Sequence, residues 1–112
     1  MKNTLSTHVL DTMHGRPAAG MAVILSGPEG EVARGTTNSD GRCPELAPSE
    51  LEPGRYALVF LVDDYFRMLG VELPDPPFLE GVVVNFGIAA EGGHYHVPLL
   101  VSPFAYSTYR GS

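Results

Sequence analysis

Histidine is the residue type with the widest chemical use in this sequence, which carries four of them. The imidazole group titrates at about 6.5, so it can act as an acid, a base or a metal ligand near neutral pH. His94 and His96 lie two positions apart in a predicted strand, which places both side chains on one face. His8 lies in another predicted strand. A fold that brings these two strands together would bring the three histidines together.

Arg42 is a second candidate because it directly follows the strongest turn signal of the chain, Asp40-Gly41. Aspartate followed by glycine readily supplies a positive φ angle. A guanidinium group projecting from such a turn can hold a planar polar ligand through two parallel hydrogen bonds. The alternative for Arg42 is a solvated surface side chain.

Two other chemistries are less favoured by the residue pattern. His8, His94 and His96 could bind a metal ion, but no cysteine or carboxylate stands at ligand spacing beside them, so we expect no metal site. Cys43 has no partner for nucleophilic catalysis in the neighbouring sequence. We expect it to be an incidental small residue at the edge of a loop.

The last residues of the sequence form an unusual tail. Most chain ends are frayed and polar, whereas residues 106–112 are rich in aromatic side chains and continue a strand pattern. Arg110 and Ser112 stand at its end. We therefore expect an ordered tail.

Composition and charge exclude several classes of function. The chain has 112 residues, with 13 acidic against 7 basic side chains and a formal net charge of -6. This balance argues against binding to nucleic acid or to an anionic membrane surface. The single cysteine excludes an internal disulfide. No apolar run has the length of a signal peptide or a membrane span, which predicts a soluble cytoplasmic protein.

The 13 glycines and 10 prolines predict many turns between short strands. The predicted strands are 5–11, 20–26, 32–37, 56–62, 82–88, 94–101 and 104–110. In the first strand, alternation places Ser6 and His8 on one face and Thr7 on the other. The apolar run 56–62 suits a strand buried on both faces. One short helix is predicted at 65–69, capped by Asp63 or Asp64. This pattern favours an all-β sandwich.

The length of the chain bears on where a site could lie. We expect residues 1–112 to form a single domain. A domain of this size has little room to enclose a ligand pocket. If the protein is an enzyme, a site between subunits is therefore expected.

Several motifs resemble those of the transthyretin-like family. The segment LSTHVLD at 5–11, followed by GRPA at 15–18, resembles the opening motif of these proteins. The run HYHVPLLVSP at 94–103 and the closing YRGS at 109–112 are similar to those of the 5-hydroxyisourate hydrolases within this family. The closing tetrapeptide distinguishes the hydrolases from transthyretin, the thyroid-hormone carrier. The resemblance extends over essentially the whole chain.

The resemblance implies a fold, an assembly and an activity. The family fold is a two-sheet sandwich of about eight strands with one short helix. The implied assembly is a homotetramer with active sites in a channel between dimers. The implied reaction is hydrolysis of 5-hydroxyisourate to 2-oxo-4-hydroxy-4-carboxy-5-ureidoimidazoline in urate breakdown, without a cofactor. A non-catalytic small-molecule carrier with the same fold is the alternative.

The resemblance also assigns roles to residues. The implied catalytic residues are His8, His96 and Ser112. The implied substrate-binding residues are His8, Arg42, His96, Tyr109, Arg110, Gly111 and Ser112. Ring opening by water needs a base, a donor for the oxyanion and an acid for the departing nitrogen, which histidine and arginine supply. Which histidine is the base stays open, and the resemblance gives no role to His94.

Overall fold

The computed structural model of the chain describes residues 3–46 and 50–111. Its strands form two four-stranded sheets. In spatial order, the first sheet contains β2 (Arg16–Pro17), β1 (Asn3–Asp11), β7 (Gly93–Ser102) and β8 (Ala105–Thr108). The second contains β4 (Gly30–Thr36), β3 (Ala22–Gly27), β5 (Gly54–Phe60) and β6 (Val82–Ile88). The predicted all-β, two-sheet sandwich of about eight strands with one short helix is confirmed.

Strands β1 and β7 are the only parallel neighbours in the described part of the chain. Their register runs from Asn3 opposite Gly93 to Asp11 opposite Val101. It places Ser6 opposite His96 and is continuous over nine residue pairs. This pairing joins the first and the seventh strand, and it holds the histidine-bearing segments side by side.

Both of these strands bury the residues of one face, since that face of the sheet covers the core; in β7, Pro98 is buried as well. In β1, burial alternates without interruption from Asn3 to Asp11, so that Ser6 and His8 point to the outer face. In β7, Tyr95 and Val97 are buried while His94 and His96 lie on the outer face. The predicted alternation in the first strand is therefore confirmed.

A single apolar cluster fills the space between the sheets. Its fully buried large side chains come from both sheets and from the helix: Leu5, Val9, Val23, Leu25, Leu58, Phe60, Val62, Phe66, Val82 and Leu99. Burial of each such side chain stabilises the fold by about 1.5–3 kcal/mol. The sheet that carries the histidines is thus fixed on its inner face.

Strand β5 departs from the prediction that both of its faces are buried. Tyr56, Leu58 and Phe60 are buried, whereas Ala57 and Val59 are only half-buried on the outer face. An antiparallel sheet commonly packs one face on the core and leaves the other to solvent. A run of apolar residues therefore does not require two covered faces.

The helix α1 (Val62–Met68) begins before the predicted segment, and the predicted aspartate cap is wrong. Its N-cap residue is Leu61, which makes no side-chain capping bond. The buried residues Val62, Tyr65 and Phe66 have the three- and four-residue spacing of one helical face, so packing sets the start. Among the described residues, no helix has the length and apolar character needed to cross a membrane.

Candidate active site

The outer face of the β1–β7 pair carries the predicted histidines. His8 lies opposite Pro98, and His96 lies opposite Ser6. Both histidines are half-buried. They are therefore diagonal neighbours on one face of adjacent strands, within reach of a common small molecule. The pairing of these strands brings His8, His94 and His96 to one surface, as the sequence predicts.

A rigid turn brings Arg42 to the same surface. The Asn38 side-chain oxygen accepts hydrogen bonds from the backbone N–H groups of Asp40, at 3.0 Å, and Arg42, at 3.1 Å. The Val9 N–H donates to the Gly41 carbonyl at 2.8 Å, and Arg42 forms a bridge with His8. These bonds fix the backbone of an exposed arginine beside the first histidine.

Gly41 allows this close approach of the turn to β1. Its φ angle is +77°, in the left-handed region that glycine adopts without strain. A Cβ atom at this position would lie 2.4 Å from the Val9 carbonyl oxygen and 3.3 Å from His8 Cδ2. No other residue type fits here without moving the turn, and Arg42 would move with it.

The tail that follows β8 returns to β7 beside His96. The Gly111 N–H donates to the His96 carbonyl at 2.8 Å, and the two residues form an isolated bridge. A Cβ atom on Gly111 would lie 2.6 Å from His96 Cδ2. The expected ordered tail is observed through Gly111, although the strand itself ends at Thr108. Ser112 lies outside the described residues.

The other two predicted tail residues have different environments. The Arg110 guanidinium lies over the Tyr95 ring, 4.0 Å from its centroid, and donates to the His94 carbonyl at 3.2 Å. This arginine therefore anchors the tail to β7 through a cation–π contact and a hydrogen bond. Tyr109 is 61% exposed. Its ring is available to a bound molecule or to another protein surface.

Burial and neighbouring positive charge determine the state of His96. Burial lowers the pKa of this imidazole below its usual value, and the charges of Arg42, His8 and His94 lower it further. A lower pKa favours the neutral ring, which can accept a proton. In an acidic protein, the site thus combines the positive charge of Arg42 with a histidine whose pKa is lowered.

Sequence reasoning missed Ser6 and the contacts of His94. Ser6 Oγ lies 2.7 Å from His96 Nδ1 and 2.8 Å from His94 Nε2, and Thr4 Oγ1 lies 2.7 Å from His94 Nδ1. The alternation of the first strand already placed Ser6 beside His8 on the outer face. The missing information was the parallel register, which brings Ser6 opposite His96.

The remaining candidates lie elsewhere. Within residues 3–46 and 50–111, no three His, Cys, Asp or Glu side chains are arranged to hold a metal ion. His14 binds the buried Asp11 carboxylate through Nδ1, at 2.6 Å. Burial raises the pKa of the Cys43 thiol to about 12, and Cys43 therefore lacks the thiolate character of a nucleophile.

A groove of about 950 Å³ lies on the second sheet, between the ends of β3, β5 and β6. Arg55 and Asn85 contribute its polar side chains together with Ser26 and Tyr56. No histidine or carboxylate residue is among its lining residues in the described chain. The groove therefore lacks groups suited to proton transfer, and the outer face of β1 and β7 is the better candidate.

The fold and the site define a β-sandwich protein with a polar histidine–arginine site on one sheet. The sequence pattern of the HIUase/Transthyretin family matches residues 5–111. The chain belongs to this family.

Individual relatives agree with this assignment. The 5-hydroxyisourate hydrolase of Pseudomonas aeruginosa is 53% identical, over 96% of this chain and 90% of its own. Among solved structures, (S)-allantoin synthase superposes with a TM-score of 0.91 at 41% identity, over 99% of this chain but only 44% of its own length. Sea bream transthyretin, solved in complex with thyroxine, superposes with a TM-score of 0.83 at 30% identity, over 96% and 93%.

Proposed function

We propose that this chain is a 5-hydroxyisourate hydrolase, which opens the six-membered ring of 5-hydroxyisourate to give 2-oxo-4-hydroxy-4-carboxy-5-ureidoimidazoline in urate breakdown. The observation that carries the proposal is the β1–β7 register, which places His8 and His96 on one face beside Arg42. Curated relatives with the hydrolase name match nearly the whole chain. The chemistry of the site residues and the similarity to curated hydrolases therefore support the same reaction.

His96 is the proposed general base, because its lowered pKa keeps it neutral near pH 7. It takes a proton from water while the water oxygen forms a bond to a ring carbonyl carbon. The tetrahedral oxyanion then collapses, the carbon–nitrogen bond breaks, and the departing nitrogen takes this same proton from His96, directly or through His8. The product carries a carboxyl group where the cyclic amide was, so atoms and charge balance.

Arg42 is the proposed electrostatic partner of the oxyanion. Its guanidinium group carries a positive charge and presents several N–H donors in a fixed plane. The loss of a single donor to an oxyanion commonly lowers the rate by about 10²–10³-fold. The rigid Asn38–Gly41 turn supports this role, since it limits the positions that the arginine backbone can take.

The tail is proposed to close the site. Gly111 contacts the His96 ring and backbone, while Arg110 anchors the tail on Tyr95. The proposed roles of Tyr109 and Ser112 are contacts to substrate or to the attacking water. The Arg110 contacts favour an ordering role for this arginine.

We also propose that residues 1–112 form one domain and that four copies assemble with the sites between dimers. The site lies on an open outer face, so that one copy does not enclose a substrate. All residues of β8 are exposed, and the large exposed side chains Phe104, Tyr106 and Tyr109 lie on or next to it. Light scattering with size-exclusion chromatography should give the mass of four 12.0 kDa chains. A monomer mass would contradict the assembly.

A small-molecule carrier is the less supported alternative. A carrier needs a pocket of matching shape, but it does not need a neutral histidine beside a fixed arginine. Sequence identity is also higher to the hydrolase than to the thyroxine-binding structure. These two observations favour the enzyme.

A coupled ultraviolet assay tests the proposed function. Urate oxidase generates 5-hydroxyisourate from urate, and the decay of its absorbance is followed with and without this protein. The protein should accelerate the decay far above the spontaneous rate. His96→Ala should lower kcat/KM by about 10²–10⁴-fold. A decay that stays at the spontaneous rate with folded wild-type protein would contradict the proposal.

Arg42→Ala is tested against a matched control, Arg55→Ala. Both arginines are exposed, but Arg55 lies on β5 of the other sheet. Arg42→Ala should lower kcat/KM by about 10²–10³-fold, as for an oxyanion donor. Arg55→Ala should leave it unchanged. Equal losses in both variants would show that general charge, and not the position of Arg42, controls the rate.

A further inference from the structure

We propose that Ser6 is a positioning residue for His96, whose hydroxyl group fixes the plane of the ring and couples its tautomer to that of His94. The inference rests on the proposed function, because it gives His96 the tautomer that the hydrolysis requires. It adds a residue outside the set formed by His8, Arg42, His96 and the tail.

The geometry places the Ser6 hydroxyl between two imidazole rings. Oγ lies 2.7 Å from His96 Nδ1 and 2.8 Å from His94 Nε2. The other nitrogen of His94, Nδ1, lies 2.7 Å from Thr4 Oγ1. All these distances lie within the normal range for hydrogen bonds. The result is a continuous chain of four side chains, in the order Thr4, His94, Ser6 and His96.

The strand pairing produces this chain. Thr4 lies opposite His94 and Ser6 lies opposite His96 in the parallel register. Residues two positions apart share a face of a strand, so both pairs stand on the outer face. The two histidines therefore face a row of hydroxyl groups that β1 holds at a constant spacing.

A serine hydroxyl has one hydrogen and can donate it to only one of the two rings. If Ser6 donates to His94 Nε2, it must accept from His96 Nδ1–H, and the neutral His96 then has its lone pair on Nε2. If Ser6 donates to His96 Nδ1, the proton of the neutral His96 lies on Nε2. The tautomers of His94 and His96 are therefore not independent of each other.

The first of these arrangements suits both duties of a hydrolytic histidine. With the lone pair on Nε2, His96 can take a proton from water. Once it has done so, both ring nitrogens carry protons, and Ser6 Oγ accepts from Nδ1–H. Nε2–H can then donate to the departing nitrogen. Within the described residues, Nε2 of His96 has no hydrogen-bond partner, so it is the nitrogen available for this transfer.

Several charged or titratable groups act on His96 besides Ser6. Arg42 is its positive neighbour, and His8 and His94 also disfavour the protonated ring when they carry a proton. The Ser6 oxygen is a neutral acceptor for the Nδ1 proton and offsets part of this repulsion. Removal of the hydroxyl should therefore change both the orientation of His96 and the pH at which it titrates.

The test combines kinetics with histidine NMR of the whole protein. Ser6→Ala should lower kcat by about 10–100-fold with a smaller change in KM, because a misplacement of about 1 Å at a reacting group can cost about 10²-fold in rate. Ser6→Thr keeps a hydroxyl and should restore most of the rate. Ser26→Ala is the matched control, since Ser26 is a half-buried serine on a strand of the other sheet.

Ring nitrogen shifts of ¹⁵N-histidine-labelled protein give the tautomer without substrate. The His96 signals are assigned by their loss in His96→Gln. Ser6→Ala should shift the His96 tautomer balance and its titration midpoint, and Ser26→Ala should not. His94→Phe should shift the same tautomer balance, because the Ser6 hydroxyl then loses its second ring partner.

The outcomes separate this inference from the proposed function. An inactive wild-type protein would overturn the proposed function together with this kinetic role of Ser6. An active wild type with a Ser6→Ala variant of unchanged kcat and unchanged His96 shifts would overturn this inference alone. A melting curve of Ser6→Ala that matches the wild type, together with the loss in kcat, would support positioning over a general effect on folding.

Discussion

Replacement of Gly111 by alanine perturbs the tail at its contact with His96. The added Cβ atom would lie 2.6 Å from His96 Cδ2, 3.3 Å from Cγ and 3.4 Å from Cβ. Real Cβ atoms do not approach other atoms to 2.6 Å, so either the tail or the imidazole must move. The Gly111 N–H bond to the His96 carbonyl, 2.8 Å long, opposes movement of the tail away from β7.

The size of the movement follows from these distances. Ordinary contact begins at 3.4 Å, so the closest pair of atoms must separate by 0.8 Å, the difference between 3.4 and 2.6 Å. A misplacement of about 1 Å near a reacting group can lower a rate by about 10²-fold. We therefore expect Gly111→Ala to lower kcat/KM by about 30–100-fold. Thermal stability should change little, because this segment lies outside the apolar core.

Gly87→Ala provides the matched control for this variant. Gly87 lies on β6 of the other sheet, and a Cβ atom there would have no atom within 4 Å. The urate oxidase-coupled assay is run on the wild type and both variants, together with melting curves. The reasoning is refuted if Gly111→Ala keeps more than half of the wild-type kcat/KM. It is also refuted if Gly87→Ala loses as much activity.

Three other predictions follow from contacts described above. Burial and nearby positive charge lower the pKa of His96, so its neutral form persists as the pH falls past 6.5. The acid limb of the kcat/KM profile should therefore have its midpoint below pH 6.5. A midpoint above 6.5 would contradict a role for His96 as base. Gly41→Ala brings a Cβ atom within 2.4 Å of a backbone oxygen, so activity should fall at least 10-fold by the coupled assay, as expected when about 1 Å of movement displaces a binding group. Tyr65→Phe removes a 2.8 Å bond to the buried Asp11 carboxylate and should lower the free energy of unfolding in urea by about 1.5–3 kcal/mol.

Much of the site could be predicted because short sequence patterns determine where its residues lie. The period of two in the first strand fixes the face of His8, and a turn signal as strong as Asp40-Gly41 fixes the point where the chain reverses. The residue at which the helix begins was harder to predict. The aspartates resemble capping residues, yet the helix begins at Val62 because burial of its apolar face outweighs a side-chain cap.

The contacts of Ser6 and His94 could not be predicted for a different reason. They depend on which strands pair, in which direction and in which register. Strands β1 and β7 are separated by most of the chain, and Ser6 and His96 are 90 residues apart. A shift of one residue in this register would turn every side chain of one strand to the opposite face relative to its partner. Information of this kind resides in the tertiary structure.

The parallel pairing of β1 and β7 also has a consequence for folding kinetics. Contacts between residues 90 positions apart form only after a large loop has closed, and such contacts slow the folding of small proteins. Because both halves of the site lie across this pairing, no intermediate that lacks it can bind substrate productively. Recovery of catalytic activity after dilution from denaturant should therefore lag behind the recovery of secondary structure. The rate at which enzyme turnover recovers would then report the formation of the β1–β7 pairing.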